Sequence, residues 1–79
     1  MKFVIAVEEL TVGAYGLGGY DAGNPKAEEQ CQRIIIKEAR MIARNAFSTV
    51  DLRKATFEEC VSYADEFGIK LYVAEVEAP

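Results

Sequence analysis

One uninterrupted stretch, Asn24 to Phe47, constrains the fold of this chain more than any other feature. After Pro25 it contains no glycine or proline, and it predicts a single long helix against which everything else must pack. Asn24 is expected to cap that helix and Pro25 to occupy its first turn, where a missing N–H costs nothing. Wound as a helix, Lys26, Arg33, Lys37, Arg40 and Arg44 fall in one narrow stripe, opposite an apolar face of Ala27, Cys31, Ile35, Ala39, Ile42 and Ala46. Ile34, Ile36 and Ala43 widen the apolar arc beyond what one sheet face needs. The helix is therefore expected to touch the second helix or a second protomer as well.

The flanking segments supply the sheet. Lys2 to Glu8 is rich in β-branched residues and apolar on both faces, which predicts a central strand. Glu8, Glu9 and Leu10 are read as a turn, and the alternation from Thr11 to Tyr20 as a second strand forming a hairpin with the first. Two readings stand for Gly16 to Gly23, a weakened strand or a loop. Those glycines do not have the G-x-G-x-x-G spacing and no G-K-[ST] follows, so a phosphate-cradling loop is not indicated. Ser48 to Ala55 is a connection. Thr56 followed by Glu59 is a capping-box pattern opening a second helix, Phe57 to Phe67, which Gly68 closes. Ile69 to Glu77 alternates as a third strand, expected to pair with the first. The order β-β-α-α-β predicts one small α+β domain spanning 1–79, with a three-stranded, mainly antiparallel sheet and two helices packed on one face.

Composition then narrows the function classes. With 79 residues, the chain can bury only about 60 to 65% of its unfolded surface, so its core is marginal and a homodimer is expected. No apolar run approaches a membrane span, and Met1 leads into a β-like stretch instead of a signal peptide; the expectation is a cytoplasmic protein without membrane contact. There is no histidine, and Cys31 and Cys60 lack the spacing of a zinc site, so no metal and no cofactor are expected. The two thiols read as small buried hydrophobes, with a disulfide between helices or protomers left open. Without histidine, the commonest base for a serine or cysteine nucleophile is missing, and no enzymatic activity is expected. Glu38 lies at the apolar edge of the long helix, where partial burial would raise its pKa.

The net charge is −4, and it is unevenly spread. Between Pro25 and Lys54 seven basic residues face four acids, whereas the rest of the chain has Lys2 and Lys70 against nine acids. Glu58, Glu59, Asp65 and Glu66 share the outer side of the second helix, and Glu75 and Glu77 extend the negative charge at the chain end. Such a surface suits docking on a basic groove in place of the phosphates that groove holds. The basic stripe offers the alternative of a phosphate-tracking helix, although no aromatic residue interleaves with it and no nucleic-acid motif is present.

A short acidic chain that opens M-K-F-V-I-A-V-E-E, forms a hairpin and enters its helix through N-P-K-A-E-E-Q resembles the small acidic proteins of phages and mobile elements, anti-CRISPR proteins among them. The resemblance is one of size, acidity and layout over the first half of the chain. It implies a non-enzymatic inhibitor, in the host cytoplasm, that binds a CRISPR effector complex or another protein with a basic nucleic-acid-binding surface and blocks nucleic-acid access. Direct nucleic-acid binding is not expected. The alternatives are a small nucleic-acid-binding module using the basic stripe, or a structural or regulatory homo-oligomer.

Overall fold

The computed structural model describes residues 1–79 and contains β1 (Lys2–Leu10), β2 (Gly13–Asp21), α1 (Ala27–Asn45), α2 (Phe57–Asp65) and β3 (Lys70–Glu77). The three strands form one antiparallel sheet in the order β2-β1-β3, with both helices on one face, an α+β fold of β-β-α-α-β order as expected.

The hairpin turns later than its sequence suggests. Glu8 and Glu9 stay in β1 because β3 pairs with them, opposite Leu71 and Lys70, and the chain reverses at Thr11 and Val12. β2 then runs unbroken to Asp21, so the glycine-rich segment is a strand through Tyr20. A bulge at Leu17 breaks its alternation. Gly18 and Tyr20 pair with Ala6 and Val4 on the helix face, whereas Gly16 pairs with Val7 on the opposite face. The glycines are low points for packing. A Cβ on Gly18 would lie 2.9 Å from Cδ1 of Ile34, and one on Gly19 would lie 2.8 Å from Cγ2 of Ile5.

α1 begins at Ala27, three residues beyond the expected cap. The Asn24 carboxamide accepts the N–H of Lys26 at 2.9 Å and forms a local turn, so Lys26 stands at the helix start without a side-chain cap. The buried line is Ala27, Cys31, Ile35, Ala39 and Ala43; Ile42 is half-buried and Ala46 exposed. Steps of four residues advance about 40° around the helix, so the line drifts and its last member is Ala43. Mostly small side chains let α1 approach the sheet and α2 closely. The wide arc is covered within the chain, by Leu17, Tyr20 and Leu71 of the sheet and by Cys60, Tyr63 and Ala64 of α2. α1 ends with Phe47 at φ 53 and the N–H of Ser48 bonded to the carbonyl of Ala43 at 3.0 Å.

α2 carries the expected capping box, with Glu59 N–H on the Thr56 hydroxyl at 3.2 Å and Thr56 N–H on the Glu59 carboxylate at 3.0 Å. Its regular part stops at Asp65, two residues before Phe67, and Gly68 at φ 75 turns the chain into β3. Cys31 and Cys60 are both fully buried in the same core as free thiols.

Candidate functional site

The connection between the helices is held in place by α1. Arg40 donates from Nη2 to the carbonyl of Arg53 at 2.8 Å and from Nε to that of Leu52 at 3.4 Å, and Leu52 inserts into the core. Arg53 in turn grips Asp51, with Nη2 at 2.8 Å from Oδ2, and the Asp51 carboxylate also accepts the Arg53 N–H at 2.9 Å. These bonds lower the pKa of Asp51 to about 2, the side-chain bond from Arg53 contributing most. The loop so fixed stands beside α2 and forms one wall of a groove of about 600 Å³.

Leu52, Ala55 and Tyr63 give that groove apolar surface, and Glu58, Glu59 and Glu66 supply three carboxylates beside Lys54, the carboxylate of Asp51 being paired with Arg53. Tyr63 is 8% exposed, and its hydroxyl is buried without a hydrogen-bond partner. Leaving such a group unpaired costs roughly 1 to 3 kcal/mol. Glu59 is partly committed to the cap, which lowers its pKa mainly through the Thr56 N–H. Glu58 and Glu66 are exposed and take part in no salt bridge.

The six acidic positions singled out from sequence therefore separate. Glu58, Glu59 and Glu66 line the groove, whereas Asp65 does not. Glu75 and Glu77 lie with Lys2 at the end of the sheet, and Glu75 sits 4.0 Å from the Lys2 ammonium. Asp51, Leu52 and Tyr63 join the site although sequence reading passed over them. Their contribution depends on where Arg40 ties the loop, which no local pattern records.

The basic stripe is exposed along α1, but it is not free along its length. Arg33 pairs with Glu29 one turn earlier at 3.0 Å, and Arg40 is engaged with the loop carbonyls. Lys26, Lys37 and Arg44 remain without a salt bridge. Glu38 meets Glu8 of β1, and the Glu8 carboxyl is pushed up by burial first, then by its hydrogen bond and like charge with Glu38. The two thiols are poor nucleophiles. Burial raises both, and Cys31 Sγ lies 3.3 Å from the carbonyl of Val4. No helix is long and apolar enough to cross a membrane.

The fold and groove thus define a two-layer α+β domain with a carboxylate-rimmed concavity between its helix connection and α2. Comparison with protein-family models, curated proteins and solved structures finds no match.

Proposed function

We propose that this chain is a non-enzymatic interaction protein whose acidic groove along α2 docks on a basic, nucleic-acid-handling surface of another protein and keeps nucleic acid away from it. The partner type is a CRISPR effector complex, and the setting is the host cytoplasm. The observation that carries this reading is the convergence of Glu58, Glu59 and Glu66 on one concavity beside Lys54, with Asp51 there already paired to Arg53. Its apolar surface suits the methylene stems of arginine or lysine side chains while the carboxylates take their charged ends. Direct tracking of phosphates by α1 is less well supported, because Arg33 and Arg40 are engaged within the chain.

The test is inhibition of interference across a panel of CRISPR types. Exposed charges are individually worth about 0.2 to 1 kcal/mol and act over about 8 to 10 Å. Glu66→Ala is therefore expected to do little, whereas Glu58→Lys with Glu66→Lys is expected to lose inhibition at least tenfold, mainly through slower association. Asp65→Lys, outside the groove, is expected to retain most of it. Circular dichroism checks that each variant folds. A parent that inhibits no type removes the effector reading, and a double variant that inhibits as well as its parent removes the groove. A mobility shift of duplex DNA at physiological salt, lost in Arg33→Glu with Lys37→Glu, would put the stripe first instead.

A further inference from the structure

The sheet has two faces, and the helices cover only one. On the other, β1 and β3 present Phe3, Ile5, Val7, Tyr72, Ala74 and Val76, outside the cluster beneath the helices; Val7 is already buried by its neighbours on this face, and Phe3, Ile5 and Ala74 are half-buried. Tyr72 and Val76 are 37% and 39% exposed. A one-sided sheet in water normally alternates apolar and polar residues, and this face is polar only towards its ends, at Glu9, Lys70 and Asp21. Contiguous apolar surface of this kind marks an interaction site.

The molecule as a whole exposes more surface than a compact chain of its size. The chain exposes 5510 Å², whereas a monomeric protein of its 8.7 kDa exposes about 4700 Å². The excess of about 800 Å² belongs to the whole chain, exposed Val12, Phe47 and Phe67 included, and is of the order each partner contributes to a standard protein interface. The radius of gyration points the same way, at 12.9 Å against about 11.6 Å for a compact chain of 79 residues.

The relief of the face selects the occupant. β1 and β3 form a raised half, and β2 adds only Ala14, Gly16 and Gly19, a low half. A two-fold axis running along the strands lays the raised β3 of one copy over the low β2 of the other, with the central β1 strands facing each other, which is the self-complementarity an isologous interface requires. We propose that a second copy of this chain covers the open face, sheet on sheet, so that the protein is a homodimer built around a second apolar layer. The two grooves along α2 then lie on the outer surfaces, away from the interface.

The experiment is the mass of the full chain by light scattering with size-exclusion chromatography, read at about 10 μM and about 100 μM, where dimers with Kd near ~1 μM are populated. Twice 8.7 kDa is expected. Gly16→Gln is the discriminating variant, because a Cβ there meets nothing within 4 Å in the single chain but intrudes between paired faces. It and Val76→Glu are expected to raise the dissociation constant at least tenfold while circular dichroism stays unchanged. Should Gly16→Gln misfold, Val76→Glu at its exposed position carries the comparison. A parent that is monomeric at both concentrations overturns the proposal, as does a dimer that folded variants leave intact, which would place the contact elsewhere.

Discussion

Glu8 is a residue whose chemistry changes on folding. It stands on β1 beneath α1, half-buried, with Glu38 of the helix as its neighbour. The folded chain holds the Glu8 proton more tightly than the unfolded chain does. The contribution of Glu8 to stability is therefore greatest in acid and falls as pH rises from the ordinary carboxyl value, about 4.3, through the raised one, opposite in sign to those of Asp51 and Glu59. Glu8→Gln removes the charge and keeps a hydrogen-bonding group beside Glu38. It is expected to stabilise the protein at pH 7 by about 0.5 kcal/mol, or roughly 2 to 4 °C in Tm, and to lose that advantage near pH 4. Thermal melts of parent and variant at the two pH values read this directly. An equal gain at both would show that the carboxylate charge is not the cause.

The helices are closed by different means, and the difference has consequences. α2 has a capping box at its start and Gly68 after its end, so both termini are satisfied by residues suited to the job. α1 has neither. It starts without a side-chain cap and stops with Phe47 in the left-handed region, where a Cβ costs roughly 1 to 2 kcal/mol. The Phe47 ring is 93% exposed, so the strain is not offset by packing within the chain. Phe47→Gly is expected to raise stability by about 0.5 to 1 kcal/mol, the relief of strain exceeding the added entropy of the unfolded chain. Urea unfolding checks it, and an unchanged or lowered midpoint would mean that the Phe47 side chain is held by contacts absent from the single chain.

Taken whole, the molecule is a slab of 42 × 29 × 16 Å with one thin core, whose largest fully buried side chains are Ile35, Leu71, Cys31 and Cys60. Such a core stabilises a chain of this length weakly. Burial of the open face between two copies would add the missing apolar area and couple folding to association. Tm is then expected to rise across about a hundredfold increase in protein concentration for the parent and, for Gly16→Gln, to lie lower and begin to rise only at higher concentration. Differential scanning calorimetry of both proteins measures it. A parent Tm independent of concentration would count against the homodimer at this level too.

Periodicity and punctuation made much of this architecture readable in advance. The run after Pro25, the Thr56 and Glu59 pair, Gly68 and the β-branched segments each act over a few neighbouring residues, and they led to the β-β-α-α-β order. The sign of the charge on α2 was legible for the same reason, since four acids recur on one side of a short helix. Other features depended on residues far apart in sequence. β3 kept Glu8 and Glu9 in β1, and Ile34 and Ile5 found room over Gly18 and Gly19. Arg40 looked like one cation of a stripe until its guanidinium met the carbonyls of Leu52 and Arg53. That contact carries Asp51 to the groove, whereas Glu75 and Glu77 lie apart from Glu58, Glu59 and Glu66 because β3 takes them to the end of the sheet. Local backbone preference and side-chain period are written in neighbouring residues, whereas the partner of a guanidinium, the position of a loop and the uncovered face of a sheet exist only once the whole chain has packed.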